Sequence, residues 1–305
     1  MSLIKKIIPK NVKRIRKLFV EKRHRKYSFR KKEEYINSKY KEVSGRNINW
    51  ANPNSYTEKI NVSKLYNYSE IKKELADKYT VRKWIANKIG DKYLIPLIGV
   101  YDKFDDIDFS KLPKKFVMKC NHDSGSVTIC NNKENLNLKE LRSDYNFYLK
   151  RNFADLNFEM HYKEIKPKIL IEKNMGENIN DYKFLCFDGK PYYCWVDVDR
   201  FHNHKRNVYD MKWELQPFNQ SFYGNSVKKI EKPERFDEMI KLCEILSKDF
   251  DHVRIDLYDI KGKIFFGEMT FTNGDGMEMI TPKEYDVELG KLWKNFKSNR
   301  NKYYK

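Results

Sequence analysis

The chain has 305 residues, with 62 Lys and Arg against 43 Asp and Glu, a formal net charge of +19. Aromatic residues make up 15% of it, with only 12 Gly and 9 Pro, which excludes a disordered or low-complexity chain and supports two or three lobes with real cores. The charge favours a partner rich in negative charge, such as nucleic acid, an anionic membrane or an acidic polymer; a Lys-, Asn-, Ile- and Tyr-rich composition of the kind an AT-rich genome produces would raise Lys without any function.

The charge is uneven. Met1 to Glu42 carries 16 Lys/Arg and 4 Asp/Glu, a net of +12, which leaves +7 for the other 263 residues. In this opening stretch Ile4, Ile8, Val12, Ile15 and Phe19 recur at helical spacing among Lys and Arg, and Pro9 breaks or starts the helix. A basic amphipathic helix of this type suits an anionic membrane surface; alternatively its apolar stripe packs on the body and the charges are solvated. Asn52-Pro53-Asn54-Ser55 then precedes TEKINVSKLYN, a capped helix. ELADKYTVRKWIANKIG reads as one further helix closed by Gly90, and YLIPLIGVYD as a short buried strand.

A new unit begins after Pro113. KFVMKCNHDSGSVTIC is strand, small-residue loop, strand; Asn135 to Phe153 is a helix; ILIEKNM and DYKFLCFDGKPYYCWVDVDR are strands, the latter a pair joined at Asp188-Gly189-Lys190. PERFDEMIKLCEILSKDF is an amphipathic helix leading into the hairpin VRIDLYDIKGKIFFGEMTF, and YDVELGKLWKNF is the last helix. Helices mixed with antiparallel hairpins predict an α+β fold and not a parallel doubly wound sheet. The predicted organisation is a basic helical arm (1–45), an N-terminal α/β segment (46–112), a lobe carrying a phosphate loop (113–172) and a C-terminal lobe carrying a metal-binding hairpin (173–305).

The five cysteines form no CxxC pair and are odd in number. Reduced thiols in a cytosolic protein are the simplest account, and a zinc site is disfavoured. No signal peptide and no apolar run long enough to span a bilayer is evident, so the expected location is cytoplasmic, at most peripheral at the inner membrane face.

Along VRIDLYD, Val253, Ile255 and Leu257 face one way, and Arg254, Asp256 and Tyr258 the other. If the connecting loop has an odd number of residues, Asp256 and Glu268 share a face and repel unless something positive lies between them. A divalent metal would resolve this, since magnesium takes one or two carboxylates plus phosphates; acids paired with surface lysines are the competing reading. Lys119 ends an apolar strand just before Ser124-Gly125-Ser126, as a phosphate-approaching loop would require, or as an ordinary turn beside a lysine would. Glu172 ends ILIEK and Lys183 lies in DYKF; an acid at a strand end accepts from a nucleotide, or simply terminates the strand. His202 and His204 in HNHK have no third ligand and read as surface histidines. No Ser-His-Asp or nucleophilic cysteine pattern is present.

In this order, K-x(4)-SGS after a strand, an E-K linker, then R-x-D and E-x-T on a hairpin, the motifs resemble the ATP-grasp superfamily. The set EKI, ADKYxVR, PKKFVMKCNHDSGS, LIEKN, DYKFLCFDGKP, VRIDLYD and GEMTF, covering about Thr57 to Pro282, resembles its TupA-like branch from bacterial surface-polysaccharide clusters. The resemblance implies an ATP-grasp fold with a nucleotide cleft between two α+β lobes, and ATP and Mg2+ as cofactors. It implies Arg82 and Lys119 on phosphates, with Lys183 a further phosphate contact, and Ser124 and Gly125 in a mobile loop above them. Glu172 would lie near adenine and Asp181 near ribose; Asp256 and Glu268 would bind magnesium, and Arg254 would stabilise the reacting centre. Thr270 stands where most members have a metal-binding Asn, with Asn273 a possible substitute.

The implied reaction activates a carboxylate as an acylphosphate and joins it to an amino acid or amine with release of ADP. The implied substrate is an acidic glycan or sugar-linked carboxylate, such as a uronic acid. A glycosyltransferase or sugar phosphotransferase of the same pathway is the alternative. A non-enzymatic polyanion binder ranks last, and nucleic acid is not expected because no recognisable nucleic-acid-binding motif is present.

Overall fold

The computed structural model describes residues 9–176, 179–198, 205–220, 224–226 and 230–304. Helix α1 (Lys10–Arg25) starts at Pro9, whose fixed φ suits a helix start. Helix α2 (Phe29–Ser44) is capped by Ser28, whose side chain accepts from Lys31 N, and ends at Gly45 in the left-handed region, φ 72°. It buries Ile36 and Tyr40 against Val62, Leu65, Tyr66 and Phe158. Helix α3 (Tyr56–Tyr66) has a full capping box: Ser55 accepts from Glu58 N while the Glu58 side chain accepts from Ser55 N.

The stretch predicted as one helix through ELADKYTVRKWIANKIG is two, α4 (Glu70–Ala76) and α5 (Val81–Ile89). Apolar spacing runs through the break, but Asp77 ends the first helix in an extended conformation. Its carboxylate accepts from Tyr79 N at 2.8 Å and from Asn121 Nδ2 at 2.9 Å. A side-chain acceptor that satisfies a nearby backbone N–H competes with the helix, and a partner far along the chain holds the turn in place.

Two antiparallel sheets carry the rest. The smaller contains β1 (Leu97–Tyr101), β2 (Phe116–Cys120), β3 (Val127–Cys130) and β4 (Ile169–Lys173) in the order β1-β4-β2-β3. One face packs Phe116, Met118, Cys120, Ile169 and Ile171 against Tyr145 of α6 (Leu138–Tyr148). Strand β1, predicted buried, lies at the edge, and Ile98 is 38% exposed. Helix α6 is shorter than predicted; a separate turn of helix, α7 (Phe153–Leu156), follows with Asn152 as its cap.

The larger sheet contains β5 (Asn180–Phe187), β6 (Lys190–Val198) and β7 (Lys205–Asp210); strands β9 (His252–Ile260) and β10 (Lys263–Thr270) complete it, in the order β10-β9-β5-β6-β7. A short pair, β8 (Asn219–Gln220) and β11 (Ile280–Thr281), stands apart. Phe184, Cys186, Val253, Ile255 and Leu257 face α8 (Phe236–Ser247) and, with Val81 and Ile85 of α5, form the largest core. Helix α9 (Glu284–Leu292) packs on α3, and buried Asp286 ties Arg46 (2.5 Å) to Thr57 N (2.9 Å). Every strand pairing within the sheets is antiparallel, so the fold is α+β. All five cysteines are buried and unbridged. His202 and His204 lie outside the described residues. No helix among the described residues is long and apolar enough to cross a membrane.

Candidate active site

The hairpin turn between β9 and β10 has two residues, Lys261 and Gly262, both at positive φ. That is an even loop, and with regular pairing it would leave Asp256 opposite Gly267. Instead the register slips by one between Phe266 and Glu268, so Gly267 bulges and Glu268 pairs with Asp256 and Thr270 with Arg254. A Cβ on Gly267 would lie 3.0 Å from the Tyr258 ring and 3.1 Å from the Asp256 carbonyl oxygen, so any larger residue at the bulge must displace one of them by a few tenths of an ångström.

The two opposed carboxylates are bridged by a cation already in the chain. Arg254 donates through Nε to Asp256 Oδ1 (2.7 Å), and through one terminal nitrogen to Asp256 Oδ2 (2.9 Å) and Glu268 Oε1 (2.7 Å). Its other terminal nitrogen donates to Asn273 Oδ1 (2.8 Å). Strand β5 adds Lys183 directly opposite Asp256; its ammonium donates to Asp256 Oδ2 at 2.6 Å and to Asp181. On the next strands Arg206 holds Asp197, opposite Asp181, with both arms (2.6 and 3.1 Å). Acids and cations alternate across this face, so each buried charge has a counter-charge, the condition under which buried ions are tolerated.

The ionisation states follow. Burial opposes the Glu268 carboxylate, but Arg254, Lys78 and Lys183 more than offset it and hold it at about 2. Burial likewise opposes the Lys183 ammonium, and Asp181 with Asp256 reverses the effect, raising it above its ordinary value. Glu268 keeps 36% of its side-chain exposure while Asp256 keeps 2%, so Glu268 reaches the surface and Asp256 stands behind it. Thr270 donates to Glu268 Oε1 at 3.0 Å.

The other face of the smaller sheet carries Val117, Lys119, Val127, Ile129, Leu170 and Glu172, which alternate with its core residues and lie opposite one another across β2, β3 and β4, with Leu170 and Glu172 covered and the β3 edge open. Val127 and Ile129 are 53% and 45% exposed. Glu172 accepts from Lys119 at 2.7 Å and from Arg82 of α5 at 3.4 Å. An apolar platform edged by two cations suits a flat base with its phosphates. Ser124 and Gly125, the latter at φ 93°, are the exposed tip of the loop between β2 and β3; Ser126 beneath them is buried and bonded to Cys120 N and Asp123.

Lys78 was not singled out from the sequence, though it stands in the ADKY motif. The break between α4 and α5 carries it. Its Nζ donates to the Asp123 carbonyl at 2.5 Å, while its field depresses Glu268. It therefore joins the small-residue loop of one sheet to the acids of the other. Reading the segment as a continuous helix concealed it.

Among the described residues no group of three or more His, Cys, Asp or Glu is arranged to hold a metal. A magnesium ion needs no such cage, since it keeps waters and takes phosphate oxygens. Glu268, whose Oε2 accepts no hydrogen bond from a described residue, fits that requirement with Thr270 beside it; Asp256, opposed to it, has both oxygens on Arg254 and Lys183 and would exchange one of these bonds for the ion. Asn273 is committed to Arg254 and to Gln220 (3.0 Å), leaving Thr270 as the hydroxyl nearest the acids.

Two antiparallel sheets, one carrying a lysine before a small-residue loop and the other a carboxylate pair on a hairpin, are the arrangement the sequence motifs anticipate. The chain belongs to the TupA-like ATP-grasp family, whose model matches residues 58–294. The matching solved structures include D-alanine–D-alanine ligase from Bacillus anthracis (18% identity, 76% of this chain and 69% of that one, TM-score 0.43). Another is the L-amino acid ligase from Bacillus licheniformis (13% identity, 72% of this chain and 50% of that one, TM-score 0.42). The ATP-grasp ligase PsnB in complex with its minimal precursor also matches (11% identity, 74% and 62%, TM-score 0.40). The chain thus spans half to about two thirds of the length of these structures. No curated protein matches it.

Proposed function

We propose that the protein is an ATP- and magnesium-dependent carboxylate–amine ligase that activates a carboxylate on an acidic glycan, such as a uronic acid, and joins it to an amino acid or amine. The observation that carries the reading is the opposed pair Asp256 and Glu268, bridged by Arg254 and linked through Lys78 to the small-residue loop of the sheet that carries Lys119 and Glu172. The substrate carboxylate oxygen attacks the γ-phosphorus, the bond to the β-phosphate oxygen breaks, and ADP leaves. The amine nitrogen then adds to the acyl carbon, loses a proton, and expels phosphate to leave an amide.

No protein nucleophile is required. Lys119, Arg82 and Lys78 would hold the phosphates, and backbone N–H groups of the Ser124–Gly125 loop would cover them. Magnesium held by Asp256 and Glu268 would neutralise the transferring phosphate, and Arg254 would meet the developing negative charge at the acyl carbon. A body that is mildly basic outside the opening helices supports an acidic substrate.

Thermal unfolding with ATP, ADP, UDP-glucose and UDP-glucuronate, each with and without magnesium, tests this on wild type and Glu268→Gln. A ligand that binds only the folded state raises the melting temperature. Stabilisation by ATP with magnesium, with the magnesium-dependent part absent in the variant, supports the ligase. Stabilisation by a UDP-sugar alone replaces it with a glycosyltransferase. A substrate screen by ADP release follows; ADP formed without any amine, with a phosphorylated product, makes the enzyme a sugar phosphotransferase.

A further inference from the structure

Helix α1 is fastened to the body by its polar side. Lys10 bonds Glu140 (2.8 Å) and Asp144 (3.0 Å), and Arg14 bonds Asp144 and Ser143. Glu21 takes Arg151 (2.9 Å), His24 meets the Asp155 carbonyl (3.0 Å), and Arg25 takes the Asp155 carboxylate (2.7 Å). The only buried side chains on the helix are Glu21 and His24. A surface helix ordinarily turns its apolar stripe inward; this one does the reverse.

Val12, Ile15 and Phe19 are 40%, 54% and 67% exposed. At 100° per residue they fall within an arc of about 60° on the side opposite Glu21. Arg16, Lys22, Arg23 and Lys26 share that outward half and are all exposed. The helix therefore presents an apolar ridge with an aromatic at its crest and long cationic side chains around it.

We propose that the outward face of α1 seats the enzyme on an anionic lipid bilayer. Apolar residues that enter the headgroup boundary while lysines and arginines reach lipid phosphates are the composition such a surface selects. A second copy of this face would bring like charges together. Nucleic acid would use the cations but has no use for an aliphatic ridge, since single strands stack on aromatics and duplexes are held by phosphate contacts. The proposal stands independently of the ligase reading.

Co-sedimentation of the full chain with phosphatidylcholine vesicles, with and without 30% phosphatidylglycerol, tests it. The wild type should bind only the phosphatidylglycerol vesicles. Ile15→Ser/Phe19→Ser should lower the partition at least 10-fold, and so should Arg16→Glu/Arg23→Glu, with both variants keeping the wild-type melting temperature because none of these side chains is buried. Equal binding to pure phosphatidylcholine, or full binding by either variant, overturns the proposal. Loss only in the charge variant marks a polyanion site instead, and a dimer broken by the apolar variant with no vesicle binding marks a self-association face; each overturns it too.

Discussion

One terminal nitrogen of Arg254 lies between the two hairpin acids, 2.7 Å from Glu268 and 2.9 Å from Asp256. The guanidinium thus supplies, in the protein alone, the positive charge the acid pair requires. Removing one partner of a fully buried pair costs about 3–5 kcal/mol. Here Lys183 still holds Asp256 at 2.6 Å and Glu268 is partly exposed, so Arg254→Ala should lower stability by less than that, and magnesium without nucleotide should recover part of the loss. The wild type should respond little to magnesium alone. Calorimetry with and without magnesium checks both; equal magnesium effects on the two proteins would refute the bridging role.

Gly267 is the bulged residue next to Glu268. Gly267→Ala places a Cβ within 3.0 Å of the Tyr258 ring and 3.1 Å of the Asp256 carbonyl oxygen, so a loss of about 1–3 kcal/mol is expected from overpacking. Deleting Gly267 should do something different. It removes the bulged residue and lets regular pairing run on from Phe266, so Glu268 still meets Asp256 and Thr270 still meets Arg254, and the magnesium-dependent nucleotide shift in melting temperature should persist. Loss of that shift in the deletion variant would show that the bulge itself, and not the pairing, positions Glu268.

Lys78→Met should fold normally, because the residue is only partly buried and its one bond is to a loop carbonyl. If it holds phosphate, kcat/KM for ATP should fall at least 10-fold. Steady-state ADP release, measured against an unchanged melting temperature, decides this.

Three buried groups divide into two opposite responses to pH. His161 and His252 are both pushed down to about 3 by burial. A depressed histidine keeps its stability above its unfolded value near 6.5 and loses about 1.4 kcal/mol per pH unit below it. Glu159 runs the other way. Burial and neighbouring Asp275 push it up to about 8, so its contribution is complete below about 4.5 and is lost as pH rises towards 8. Glu159→Gln should therefore gain on the wild type by about 1.4 kcal/mol per pH unit between pH 4.5 and 8. Urea unfolding across that range measures it; a constant difference would contradict the buried carboxyl.

Much of the site is legible in sequence because strand alternation is local. Val253, Ile255 and Leu257 could face the core only if Arg254 and Asp256 faced away, and the same rule sets Lys119 against Phe116 and Met118. The pairing of Asp256 with Glu268 is a different matter. The two-residue turn at Lys261-Gly262 argues against it, and only the slip at Gly267 restores it. Lys78 is hidden for a related reason, since helical spacing continues through a break that Asp77 and the distant Asn121 create together. The outward turn of Val12, Ile15 and Phe19 depends on Arg151 and Asp155, more than a hundred residues away in the chain.

The Gly267 bulge separates two quantities that are easily confused, the spacing of two residues along the chain and their meeting across a hairpin. An even turn plus one bulged residue, an odd turn with none, and an even turn with one residue fewer and no bulge all place the same two carboxylates opposite each other. Relatives of this hairpin can therefore differ in turn length and lack the glycine without losing the pair. A pattern search that fixes the number of residues from R-x-D to E-x-T, or only whether that number is odd or even, would pass over some of them.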